Sequence, residues 1–177
     1  VARFLVRFFP CLLAGVPGLF NHARLCQSGT SQAQLGQLSE IAVRALSPGI
    51  NDPFTAASVI ERFGDALCRI APRHLRTGVV GREGRIVLVY PVTDYAGLCD
   101  AMFHLIRQNA SGASYVLIRM LEVLRRVAEV EQQAPRRLEL RRHADLVMAS
   151  ARHGMTDQAA HADAEDRYKA FLVTLAS

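Results

Sequence analysis

Ser47-Pro48-Gly49-Ile50-Asn51-Asp52-Pro53 stands between two runs of helical periodicity, and its reading decides the fold. Upstream, Leu35, Leu38, Ile41, Ala42, Ala45 and Leu46 recur at helical spacing and predict a helix over 32–46. Pro48 cannot continue that helix and pushes Ser47 out of helical geometry. Downstream, Asp52 is a favoured N-cap, and Pro53 suits the first helical position, where no N–H is needed. The second helix is expected over 53–71, with Ala56, Val59, Ile60, Phe63, Leu67 and Ile70 as its apolar stripe and Pro72 as its end.

Beyond it, β-branched runs flank Gly81-Arg82-Glu83-Gly84 and predict a hairpin near 79–92. Its longer strand is apolar on both faces. One side is therefore expected to pack under helices and the other against a further strand. Two strands alone are marginally stable, so residues from the N-terminal segment or outside this chain are expected to complete the sheet. Four more helices are predicted, over 94–108, 112–132, 135–152 and onward from a cap at Thr156. The fold class is mainly α with a small β component (α+β): about six helices packed with a hairpin or small sheet. The organisation expected is a poorly defined β or irregular segment over 1–31 and a helical domain over 32–177.

Half of the residues are hydrophobic and 21% are charged, so the chain can bury a core and is not a disordered protein. Trp is absent, which makes the core aliphatic. The net charge of +5 is carried almost wholly by arginine, Lys169 being the only lysine. The chain begins with Val1, as expected of a fragment, a processed product or a mis-started reading frame. The apolar run from Phe8 to Phe20 is 13 residues long and holds two prolines, too short to span a bilayer and poorly suited to a signal peptide. Cys11, Cys26, Cys68 and Cys99 form no C-x-x-C pair and read as reduced thiols in a cytoplasmic setting.

Three polar residues crowd the junction: Ser47, Asn51 and Asp52. They are the ligand or partner candidates. Free N–H groups at a helix start can hold an anion, but Asp52 supplies that negative charge itself. The structural reading makes Gly49 the turn, has Asn51 tie it through its side chain, and gives Asp52 the cap. A second candidate is a basic face of Arg125, Arg126, Arg136, Arg137, Arg141 and Arg142, suited to anionic lipid headgroups or an acidic partner. Glu122, Glu129, Glu131 and Glu139 sit among these arginines at spacings that also allow pairing within helices. No recognition module supports nucleic-acid binding. The six histidines lack metal-ligand spacing, no catalytic or cofactor motif is present, and no metal or cofactor is expected.

The stretch from Leu38 to Thr55, LSEIAVRALSPGINDPFT, closely resembles a segment of a bacterial family of predicted membrane proteins, domain of unknown function 2254. The hairpin and the arginine-rich late helices are similar as well, so the resemblance covers about residues 33–175. It implies transmembrane helices preceding a soluble portion, with the parent in the inner membrane and this portion, itself soluble, on the cytoplasmic side. It implies no activity. Ser47, Asn51 and Asp52 match the family's signature positions. The family's preceding β segment is echoed by Val6–Leu19, without its glycine-aspartate turn. The function expected is a non-enzymatic module for assembly, gating or partner binding, including self-association. The alternative is a small-ligand sensor or enzyme with its site at 47–53.

Overall fold

A computed structural model describes residues 29–75, 78–82, 85–89 and 92–176. The expected segment over 1–31 lies almost entirely outside the described residues, as do the hairpin turn at 83–84 and the expected strand residues 90–91. Eight elements follow in order: α1 (Gly29–Ala45), α2 (Pro53–Ile70), β1 (Val79–Arg82), β2 (Arg85–Val89), α3 (Tyr95–Asn109), α4 (Ser114–Val130), α5 (Ala134–Gly154) and α6 (Gln158–Ala176). The described residues are mainly helical, with one antiparallel hairpin among them.

Local chemistry sets most helix ends. Asp52 caps α2, with Pro53 behind it. Asp94 caps α3 by accepting a hydrogen bond from Gly97 N at 2.8 Å. At α6 the cap falls on Asp157, not Thr156: its carboxylate accepts from Ala159 N at 3.0 Å. A carboxylate accepts at least as well there as a threonine hydroxyl and adds favourable charge at the helix start.

One continuous apolar cluster runs from Leu35 through Phe171. Its centre is α4, which packs against α2, α5 and α6. Val116 and Val123 extend the stripe of Leu117, Met120, Leu121, Leu124 and Val127, giving α4 a wide buried face. The α2–α4 approach is close: a Cβ on Gly64 would collide with Val123 Cγ1. Between α1 and α3, the fully buried Ser39 donates its hydroxyl to Ala101 O at 2.7 Å. Phe103 meets Phe63 edge-on, with centroids 6.2 Å apart.

The hairpin departs from expectation. Val79 pairs with Val89 and Val80 with Leu88, and a bulge at Val87 shifts the register before Gly81 meets Ile86. Yet Ile86, Val87, Leu88 and Val89 are 54–70% exposed. Among the described residues β1 and β2 pack on each other, and no helix lies over them. The apolar positions of α1–α6 already close one core among themselves, which leaves the hairpin outside it.

Candidate functional site

The junction is built by its backbone. Ser47 O accepts from Ile50 N at 3.0 Å and from Asn51 N at 2.9 Å, and Asp52 N reaches back to Ala45 O at 2.8 Å. Asn51 sits at φ 46°, the left-handed region that asparagine tolerates better than other residues with a Cβ. Its contribution is this backbone conformation; no side-chain hydrogen bond from Asn51 occurs among the described residues. Gly49, by contrast, does not adopt positive φ.

Asp52 spends both carboxylate oxygens on its own helix. Oδ1 accepts from Phe54 N and Thr55 N, both at 3.1 Å. Oδ2 accepts from Thr55 Oγ1 at 2.6 Å. The Thr55 hydroxyl chiefly, then the two amides, hold the carboxyl below its usual pKa against partial burial. This is a structural carboxylate with its acceptor positions engaged.

The turn that results pushes apolar side chains outward. Ile50 is 62% exposed and Phe54 68% exposed. The Phe54 ring lies 5.2 Å from that of Tyr115 at the start of α4. Beside them is an open recess of about 240 Å³, lined by Asn51, Asn109, Ser114 and Tyr115 among others. Tyr115 is the one titratable side chain in that lining. The start of α4 opens beside this recess without a side-chain cap.

Comparison with known proteins places this signature. Residues 30–126 match the family described as "Predicted membrane protein (DUF2254)". The chain belongs to that family. Uncharacterized proteins of Mycobacterium tuberculosis and Mycobacterium bovis are each 30% identical to it over 125 residues. The matched stretch is 70% of this chain and 24% of each relative, so the chain spans about a quarter of their length. No solved structure matches it. Among the described residues, no helix is long and apolar enough to cross a membrane.

The six arginines do not share one surface. Arg125 pairs with Glu129, and Arg126 with Asp65 across the α2–α4 groove. Arg141 faces Asp145 on its own helix. Arg142 bonds both Asp100 at 2.8 Å and Glu139 at 2.7 Å. Arg136 is 6% exposed. It donates to Glu131 and Ala71 O, both at 3.3 Å, and to Arg73 O at 2.9 Å. Its guanidinium also lies over the Tyr95 ring, 5.2 Å from the centroid. Arg137 donates to Ala128 O, Glu131 O and Thr174 O. These two neighbours thus serve orphan carbonyls at or just beyond the C-terminal ends of α2, α4 and α6, where the macrodipole favours cations. A groove of about 510 Å³ between α2, α4 and α6 is lined by Arg119, Arg125, Arg126 and Arg167 and by Glu61, Glu122 and Glu129. Each of the four arginines is in an ion pair, so the groove is close to balanced in charge.

Two buried titratable groups stand apart from the candidate sites: Cys99, a free buried thiol in line with its sequence reading, and His143, which the sequence reading did not single out. Cys99, on the inner face of α3, has its thiol pushed up to about 12 by burial, which leaves it protonated and unreactive at neutral pH. His143 is fully buried on α5, its Nε2 3.3 Å from Asp100 Oδ1. Burial first, then Arg142, lowers its pKa from 6.5 to about 4, while Asp100 and Glu139 oppose the shift and His104 adds to it. An isolated polar residue on an apolar helical stripe was the only signal available. The folded state holds this ring neutral, whereas the unfolded chain takes up a proton below pH 6.5. Stability is therefore complete above about pH 6.5 and falls as pH drops toward 4, by about 3 kcal/mol in total from this group. Urea unfolding at pH 7.5, 5.5 and 4.5 should show that decline in the native chain and a much flatter profile in His143→Gln. Identical slopes would dismiss the assignment.

Proposed function

We propose that this region is a non-enzymatic assembly module of a bacterial inner-membrane protein, and that the 47–53 junction forms its docking surface. Residues 32–177 act as one helical unit with the hairpin attached. The observation that carries the reading is where the signature residues spend their polarity. Ser47 accepts through its carbonyl, Asn51 supplies a left-handed backbone and Asp52 caps α2. What the motif presents to the outside is Ile50 and Phe54, beside Tyr115. Exposed apolar patches rimmed by polar groups are the usual mark of a protein–protein contact. The partner is a protein surface, either the remainder of the parent or a second copy. The surplus of arginine and the free thiols Cys68 and Cys99 support a cytoplasmic placement.

The sensor or enzyme reading has one observation in its favour, the uncapped start of α4 beside the recess. That lining offers no acid–base pair and no charge to anchor a ligand. The two readings separate experimentally. Ile50→Glu with Phe54→Glu, in the full chain, should leave the urea midpoint nearly unchanged, because surface changes stay within about 0.5 kcal/mol. Association, measured by sedimentation and by recovery with membranes bearing the longer parent, should weaken about tenfold or more, equivalent to about 1.4 kcal/mol. Unaltered association in a folded variant would remove the proposal.

A further inference from the structure

The β1–β2 hairpin carries Val79, Ile86, Val87, Leu88 and Val89, five of the thirteen large hydrophobic side chains exposed among the described residues. In the regular part of the ladder Val79 pairs with Val89 and Val80 with Leu88, so Leu88 and Val89 point to opposite faces of the ribbon. Solvent therefore meets apolar groups on both faces. Among the described residues no helix packs over either one.

The same stretch of chain has an excess of positive charge. Residues 69–92 hold Arg69, Arg73, Arg76, Arg82 and Arg85 against Glu83 alone. Across 119–177, by contrast, ten cations stand among nine carboxylates, so the late helices nearly balance their charge. Arg73 and Arg85 are exposed, and neither has a carboxylate partner among the described residues. The ribbon also leaves the body from a fixed base. On the outgoing leg, Arg136 donates to Ala71 O at 3.3 Å and to Arg73 O at 2.9 Å, and Leu75 packs on the core. On the returning leg, Asp94 caps α3, and the buried Tyr95 ring lies against the same Arg136 guanidinium. One buried arginine thus anchors both legs, and the body presents an apolar ribbon in a basic setting.

We propose that the hairpin is a lipid-contacting element, seated in the headgroup boundary of an anionic bilayer with Arg73 and Arg85 toward the lipid phosphates. A flat protein surface covers one face of a ribbon, whereas the headgroup boundary surrounds both. A second copy would bring the same excess of arginine to a two-fold contact, where like charges repel. In a family described as predicted membrane proteins, a bilayer lies within tether reach of the chain. The seat is shallow. The outer edges of a two-stranded ribbon keep unpaired N–H and C=O groups, which hydrocarbon cannot satisfy. The apolar side chains enter the boundary by about 5–10 Å, and the arginine stems reach back to the phosphates. This inference is independent of the junction and of its docking role.

Sedimentation of the intact 177-residue chain with phosphatidylcholine vesicles, carrying or lacking phosphatidylserine, tests it. Phosphatidylserine should raise the affinity about tenfold or more, as expected for two arginines at an anionic surface. Added salt should reduce that gain. Val87→Asp with Val89→Asp should abolish binding to both kinds of vesicle and leave the urea midpoint unchanged, because the ribbon lies outside the core. Arg73→Glu with Arg85→Glu should remove only the gain from phosphatidylserine. Trp is absent from the native chain, so Leu88→Trp supplies a single reporter. Its emission should move to the blue with phosphatidylserine vesicles, a reading that stands even if the aspartate variant does not fold. Four results overturn the proposal: no binding to phosphatidylserine vesicles, equal binding to both kinds, binding that survives the aspartate substitutions in a folded protein, and an unshifted Trp emission. Absent vesicle binding together with self-association that the aspartate variant loses names a second copy as the cover. Binding only to vesicles bearing the longer parent names a protein partner.

Discussion

Arg136→Met lowers the stability of the chain by about 3–5 kcal/mol, the range for breaking a buried ion pair from one side. The argument rests on Glu131, which is fully buried and is the C-cap of α4. One of its carboxylate oxygens accepts from Gln133 N and the other faces Arg136. Without the guanidinium, a carboxylate stays in an apolar environment with one amide for company. The carbonyls of Ala71 and Arg73, just past the end of α2, lose their donor in the same substitution. Methionine keeps much of the stem's volume, so the loss reports charge and hydrogen bonding more than packing. The double variant Glu131→Gln with Arg136→Met should recover a large part of the loss, because the uncompensated charge is then gone. Urea unfolding of the two single variants and the double gives the coupling directly. A loss below about 1 kcal/mol for Arg136→Met would mean that the pair is hydrated and that the ends of α2 and α4 are held by other contacts.

The same pair shows where sequence reading stops. Glu131 and Arg136 stand five residues apart with Pro135 between them, and their composition is that of a solvated turn. What buries them is the approach of the end of α2, some 60 residues earlier in the chain, and no local pattern encodes that contact. The helices themselves were legible because burial repeats every third or fourth residue. Ala56, Val59, Ile60, Phe63, Leu67 and Ile70 form the buried face of α2 as their spacing requires. On α3 the adjacent residues Met102 and Phe103 are both fully buried, because the helix touches both α1 and α5. A stripe derived for one interface misses a residue that serves a second.

At the junction, the capping and the helix break follow from short-range sterics and hydrogen bonding, so Pro48, Asp52 and Pro53 were readable. The role of Asn51 was readable in kind but not in mechanism. Asparagine serves turns either by a side-chain bond or by tolerating positive φ, and only the backbone geometry separates the two. The outward projection of Ile50 and Phe54 depends on how two helices cross and was not legible at all. The hairpin's strands were legible from β-branched density, whereas its lack of helical cover depends on how the helices close around one another.

Phe103→Ala is expected to lower stability by about 3–5 kcal/mol at neutral pH, through lost transfer energy and the cavity left behind. Its ring is the hinge of a three-helix contact, edge-on to Phe63 of α2 and 5.7 Å from the His143 ring of α5. Removing it opens space directly against His143, whose low pKa is owed first to burial. That space has a polar edge from the unpartnered His143 Nδ1, which favours entry of water over a dry void. Hydration lifts the His143 pKa from about 4 back toward its ordinary 6.5. The sign of the consequence follows by linkage. The native chain loses stability between pH 6.5 and 4 because its folded ring refuses the proton that the unfolded ring accepts. In the variant both states accept it at closer pH values, so less is lost on acidification. The destabilisation caused by Phe103→Ala should therefore shrink as pH falls, by about 1–2 kcal/mol if half or so of the pKa shift is relieved. Urea midpoints of both proteins at pH 7.5 and 4.5 measure this directly. Phe103→Leu, which refills most of the volume, should cost only about 1 kcal/mol and keep the acid sensitivity of the native chain. A destabilisation by Phe103→Ala that is the same at both pH values would show that the cavity stays dry, and that the lowered pKa of His143 does not depend on the Phe103 ring.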